Sequence, residues 1–185
     1  MTRFLSITAG LMMIASSGLS GQSDKTGAPP LRERMFFGGD FGLQFGTITN
    51  IQVSPTVGLW LTPRLSIAGG PTYQFYKDPF GSTDLWGPRV YSQFMVIKDI
   101  NNIVPLGMGL GIGTHIEYGG LSLEKSVFVD PAMTGRMYVN TVLAGFTVNQ
   151  SIGSRSFMSI NVLWALTDNQ YQVYSNPEIR IGFMF

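Results

Sequence analysis

From Met35 to Phe185, apolar residues alternate with small or polar ones in segments of about ten residues, each bounded by turn-forming stretches. A period of two puts successive side chains on opposite faces of a strand. In MFFGGDFGLQFG, Phe37, Phe41, Leu43 and Phe45 share one face; Phe36, Gly38, Asp40, Gly42, Gln44 and Gly46 share the other. NIQVSPTVGLWLT separates Ile51, Val53, Val57, Leu59 and Leu61 from Gln52, Ser54, Thr56, Gly58 and Trp60. RLSIAGGPTYQFY sets Leu65, Ile67, Tyr73 and Phe75 against Ser66, Ala68, Gly70, Thr72 and Gln74, and PRVYSQFMVI sets Val90, Phe94 and Val96 against Arg89, Tyr91 and Gln93. PLGMGLGIGTHIEY alternates Leu106, Met108, Leu110, Ile112, Ile116 and Tyr118 with glycines, His115 and Glu117. RMYVNTVLAGFTVNQ is ambiguous in phase. SFMSINVLWAL aligns Met158, Ile160, Val162 and Trp164, and EIRIGFMF places Ile179, Ile181, Phe183 and Phe185 opposite Glu178, Arg180, Gly182 and Met184.

Period two alone does not separate a membrane barrel from a soluble sandwich. The polar face decides, because glycine is its commonest residue; a narrow bore leaves little volume to fill, whereas solvated strands favour Lys, Glu and Thr. The pattern predicts an all-β fold: an eight-stranded antiparallel up-and-down transmembrane β-barrel, in which the last strand pairs with the first. Connections at Thr62–Arg64, Asp99–Ile103 and Gly153–Ser156 read as tight periplasmic turns. Lys77–Trp86, Gly119–Pro131 and Asp168–Pro177 read as longer external loops, and Thr47–Asn50 as a short external turn. Tyr73, Phe75, Tyr118 and Trp164 are expected at the external girdle, and Phe37, Phe183 and Phe185 at the periplasmic one. Pro55 and Pro71 fall opposite each other inside strands two and three, which predicts a bulge or a non-hydrogen-bonded pair there.

Composition supports this reading. Only 12% of residues are charged, about half the share usual in a soluble domain. Gly reaches 23 and the mean hydropathy is positive, yet after the first twenty residues no apolar run is long enough for a helical span. A net charge of +1 without a basic run argues against nucleic acid. Cysteine is absent, which excludes disulfides, thiolate metal sites and a lipoprotein anchor. Met1–Arg3 followed by apolar Phe4–Ala15 and small residues to Gly21 reads as a signal peptide, residues 1–20, with cleavage near Ser20. Residues 21–34 read as a polar periplasmic leader and 35–185 as the barrel, so the expected location is the outer membrane.

The stretch GGDFGLQFGTITNIQVSPTVGLWLTPRLSIAGGPTYQFY and the close NPEIRIGFMF resemble a family of small outer-membrane barrels from Bacteroidota. Its members commonly show GG-x-FGLQFG-x-x-T-x-I-x-x-SP-x-x-G near the start and R-x-G-F near the finish. Some carry an α-ketoglutarate decarboxylase label, but this chain shows no thiamine-binding motif and is far too small for that fold. The resemblance implies location and architecture, and no activity.

Candidate chemistry is sparse. His115, the only histidine, with Glu117 on the same inward face, is a weak catalytic candidate. The chemistry would be that of a lipid A deacylase or acyltransferase, with Ser122 or Ser126 nearby. The alternative is a bore histidine hydrogen-bonded to a neighbour, which the lack of any fixed Ser/His spacing favours. Asp40, Arg89, Glu117, Glu178 and Arg180 all point inward by parity and form a candidate charge network, with Asp40 expected to meet Arg180 across the closing seam. The same charges could instead form an ion filter, although a bore filled by its own side chains disfavours conduction. Phe80, Trp86, Phe128, Tyr171 and Tyr174 are loop aromatics that could meet a partner or pack on one another. Phe183 and Phe185 are read as the assembly signal. Gly107–Gly113 resembles a dinucleotide loop but lies in a strand and opens no helix. No metal or cofactor is expected. Expected partners are outer-membrane lipid, the barrel-assembly machinery during insertion, and another outer-membrane protein. The expected role is structural or interactive, with a lipid-modifying enzyme or an accessory subunit of a larger outer-membrane assembly or secretion complex as alternatives.

Overall fold

The computed structural model describes residues 29–46, 48–79, 81–105, 107–167, 171, 173–174 and 176–185. The segment read as an export signal, most of the segment read as a leader, Thr47, Phe80, Leu106 and Asp168 lie outside the described residues. Eight strands follow one another: β1 (Met35–Gln44), β2 (Thr49–Trp60), β3 (Leu65–Lys77), β4 (Ser82–Ile97), β5 (Leu110–Glu124), β6 (Arg136–Ser151), β7 (Phe157–Ala165) and β8 (Glu178–Met184). Each is antiparallel to its neighbours, and β8 returns to β1 to close an eight-stranded barrel. Closure runs from Gly38↔Met184 to Gly42↔Arg180 and is extended by reciprocal backbone bonds between Phe37 and Phe185. At Gly38 a side chain would collide with the carbonyl of Phe183, so this seam requires a residue without Cβ.

Alternation along each strand has the expected phase. Phe37, Phe41, Val57, Ile67, Phe94, Ile116, Ile160 and Ile181 are exposed, whereas Asp40, Gln52, Gln74, Arg89, Gln93, Glu117 and Arg180 are buried. The ambiguous sixth segment also has a definite phase: Thr141, Leu143, Thr147 and Asn149 are buried, and Phe146 and Val148 are exposed. In β2–β3 the ladder is interrupted between Val53↔Tyr73 and Val57↔Gly69 while the register is unchanged. Pro55 and Pro71 therefore sit in a gap without a bulge, since neither can donate a ladder hydrogen bond. Among the described residues, a register shift lies in β4–β5, between Met95 and Ile97.

Three connections depart from expectation. Lys77–Trp86 is mostly strand, because β4 begins at Ser82 and pairs with β3 through Lys77↔Ser82. Thr83 and Leu85 continue the inward face, and the turn is closed by Asp78 N–H donating to Gly81 O and Gly81 N–H to Asp78 Oδ1. Conversely, the turn expected at Asp99–Ile103 occupies residues 98–109. There Asp99 caps a 3-10 turn (Ile100–Asn102), Asn101 Nδ2 donates to Met108 O, and Gly107 takes a positive φ of 71°. β5 thus begins at Leu110 rather than Pro105, since these local bonds compete with the ladder. It also runs on to Glu124, into the segment read as loop.

Among the described residues, two short helices complete the fold. α1 (Leu31–Arg34), placed in the unstructured leader by sequence, is one helical turn held by Arg155 Nη2 donating to Glu33 O at 2.6 Å. α2 (Lys125–Phe128) follows β5. Inside the barrel, Phe36, Ala68, Tyr91 and Met184 cluster at the end that carries Met35, with Trp60 and Phe157 against them. The Phe36 ring fills the space a side chain at Gly58 would need. At the opposite end Tyr76, Leu85, Leu121, Leu123 and Val173 form a second cluster, covered by Ile48, Phe128, Met137, Val139, Tyr171 and Tyr174.

Candidate functional site

Between these two clusters the bore is polar. Parity turns Asp40 of β1, Arg89 of β4, Glu117 of β5 and both Glu178 and Arg180 of β8 inward, and all five are buried. Arg89 Nη2 donates to Asp40, and Arg89 Nη1 donates to Glu117 Oε2 at 3.2 Å. Arg180 Nη1 lies 2.9 Å from Glu117 Oε1 and 3.0 Å from Oε2. Its Nε is 3.6 Å from Glu178 Oε1. The centre of the network is thus Glu117, reached by both guanidiniums.

The expected Asp40–Arg180 pair is not formed. Across the seam Asp40 lies opposite Gly182 and Arg180 opposite Gly42. Asp40 is short and stays near its wall, where Arg89 reaches it from β4. Arg180 is long and extends across the bore to β5. In a narrow barrel, side-chain reach selects partners as strongly as strand adjacency does. Charges removed from water in this way hold only when paired and hydrogen-bonded.

His115 belongs to the same layer. It is 2% exposed and stacks on Tyr91 with ring centroids 4.8 Å apart and an interplanar angle of 20°. Gln93 Nε2 lies 3.0 Å from His115 Nδ1 and also donates to Asn161 Oδ1 at 3.3 Å, while His115 Nε2 lies 3.4 Å from Glu117 Oε2. An amide donor at Nδ1 makes that nitrogen the acceptor, which assigns the proton to Nε2, facing the carboxylate. Both ring nitrogens are engaged. Ser122 is in β5, and its hydroxyl accepts from Arg136 Nε at 2.8 Å; Ser126 is in α2. Neither serine is brought to the imidazole, so His115 has the contacts of a packed bore residue and not those of an activated base. Among the described residues no three ligating side chains converge to hold a metal ion.

The loop aromatics divide. Tyr174 faces the bore, with Arg180 Cζ 5.5 Å from its ring centre, and burial pushes its phenol above the ordinary range, with Arg180 acting in the opposite direction. Phe128 lies 5.1 Å from Tyr76, centroid to centroid, and Tyr171 also packs on the second cluster. These three cover the bore at that end. Trp86 is in β4 and faces outward, edge-on to Tyr138 at 6.4 Å, with Arg136 Cζ 5.9 Å from its ring. Phe183 and Phe185 face outward on the closing strand, as their parity predicts.

Sequence reasoning overlooked Tyr91, Gln93 and Asn161 as partners of His115. Gln93 and His115 are directly opposite in the β4–β5 ladder, a juxtaposition that correct strand registration would have exposed. A separate polar ladder, Gln74 Nε2 to Gln52 Oε1 at 2.8 Å and Gln52 Nε2 to Ser54 Oγ at 3.1 Å, joins the inward faces of β2 and β3. Comparison with protein-family models and with curated protein sequences found no match.

Proposed function

We propose that this protein is an integral outer-membrane β-barrel with a structural or interaction role, exported by the signal in residues 1–20 and presenting one closed end to the exterior. The observation that carries the reading is inversion. Large apolar side chains, Phe37, Phe41, Val57, Phe94, Ile116, Phe146 and Ile181 among them, are exposed, while the bore holds two arginines, three carboxylates, a histidine and several amides. In water such an arrangement would lose the hydrophobic contribution to folding. Against acyl chains it is the low-energy arrangement, because closure leaves no unpaired strand edge in lipid. The resemblance to small Bacteroidota barrels supports the same location.

Side chains fill the bore at the charged layer and at the Tyr76–Val173 cluster, which favours a closed scaffold over a channel. For the lipid-modifying alternative, among the described residues His115 is hydrogen-bonded to Gln93 and Glu117 and to no serine. The accessory-subunit alternative is favoured by one feature, the outward cluster of Trp86, Tyr138 and Arg136, a surface of the kind that partners use. The test is expression with the native leader followed by membrane fractionation. The protein is expected in the outer-membrane fraction, extractable only by detergent and folded as judged by heat-dependent gel mobility. Recovery as a water-soluble species without detergent would overturn the reading.

A further inference from the structure

At the end of the barrel carrying Met35, inside the turn over residues 98–109, lies a half-open cavity of about 730 Å³. Ligand sites typically span about 300–1,000 Å³. Its floor is apolar: Phe36, Trp60, Met95, Phe157 and Met184. Methionine and aromatic side chains make an adaptable lining for a flexible hydrocarbon. Three cations stand around it, Arg32 on α1, Lys98 after β4 and Arg155 in the β6–β7 turn. Among the described residues none of the three forms an ion pair. Two side-chain carboxylates, Glu33 and Asp99, share the rim, and Asp99 accepts from Asn101 N–H. The three cationic side chains therefore exceed the two side-chain carboxylates by one.

One further feature indicates how an occupant would arrive. The lining includes Met35 and Phe185, which by parity belong to the outer face of β1 and β8 and are exposed. The cavity wall is thus continuous, over the rim at the closing seam, with the apolar exterior of the barrel. A molecule that resides in an apolar layer could pass over that rim without its hydrocarbon crossing a polar surface.

We propose that this cavity binds a single-chain amphiphile with an anionic head, its acyl chain lying on Phe36, Trp60 and Met184 and its head held by Arg32 and Lys98. Carboxylate and phosphate heads share this chemistry, since both accept charge-assisted hydrogen bonds from guanidinium and ammonium groups. The site is separate from the Glu117 network. The proposal rests on the bilayer reading only for the source of the ligand, and a failure of that reading would be seen first, as a protein that does not fold in bilayers.

The test uses the Trp60 indole, which is in the cavity, after the other two tryptophans are removed by Trp86→Phe and Trp164→Phe. The full chain is folded into lipid nanodiscs, and folding is checked by heat-dependent gel mobility. It is then titrated with 11-bromoundecanoate, with a brominated-chain lysophospholipid, and with a brominated alkylamine. Saturable quenching by either anionic amphiphile, with only a linear rise from the amine, is the expected result. Saturation by the carboxylate alone identifies a fatty-acid site, and by the phosphate alone a lysophospholipid site. Arg32→Gln with Lys98→Gln is expected to weaken binding about tenfold, the Arg32→Lys and Lys98→Arg pair to retain it, and Ser151→Phe, at the mouth, to abolish saturation. Equal, non-saturating quenching by all three amphiphiles in folded protein overturns the proposal. So does saturation that neither Ser151→Phe nor the paired glutamine substitutions alter.

Discussion

At the scale of single residues, Glu117 and Arg180 are the most exposed to loss, because each is buried and each would leave a charged partner behind. Replacing Arg180 with Met removes the Arg180 Nη1 contacts to both carboxylate oxygens of Glu117 and the guanidinium beside Glu178. Breaking a buried pair from one side costs about 3–5 kcal/mol. Urea unfolding in lipid vesicles is expected to show a loss of that order for Arg180→Met, and a smaller one when Glu117→Gln is present as well, since the second change removes the orphaned carboxylate. Independent, additive losses would mean the pair is not coupled. His115→Ala addresses the enzymatic alternative. With both imidazole nitrogens engaged and no serine beside them, lipid A in a strain carrying the variant is expected to keep its mass spectrum. A shift in acyl number would restore the catalytic reading.

At the scale of elements, the barrel has different closures at its two ends. Leu123 is fully buried beneath Phe128 and Tyr171 in the cluster that carries Tyr76, and truncating such a residue costs about 2–5 kcal/mol. Leu123→Ala is therefore expected to open the loops over residues 125–135 and 166–177 to protease while leaving the strand core protected; unchanged cleavage rates would show that the loops are not held by this packing. The seam behaves differently. Gly38 meets the Phe183 carbonyl so closely that Gly38→Val is expected to leave the protein unfolded by gel mobility, whereas Gly81→Ala, at an open turn without a positive φ, should not.

The strands and their faces were legible element by element, since period-two alternation follows directly from the pleat. Strand ends were less legible. Asp78 and Gly81 make a tight turn that lets β4 start early, and Asp99, Asn101 and Gly107 build a long one that starts β5 late. Both are decided by side-chain-to-backbone bonds that hydropathy does not report.

At the scale of the whole molecule, three layers block the bore above the cavity at the Met35 end: the Phe36–Met184 cluster, the charged layer and the Tyr76–Val173 cluster. Purified protein in planar bilayers is expected to give no discrete conductance steps. Regular ion-selective openings would instead assign the charges to a filter. Alternation, low charge and glycine on one face were enough in the sequence to specify a closed antiparallel barrel with Asp40, Arg89, Glu117, Glu178 and Arg180 inside it, because inward or outward placement depends only on parity within a strand. Which of those charges meet, what His115 touches, where the loop aromatics turn and that a cavity lies at one mouth were decided only by tertiary structure. Those outcomes depend on stagger between strands and on side-chain reach across the bore, and neither is a property of any single segment.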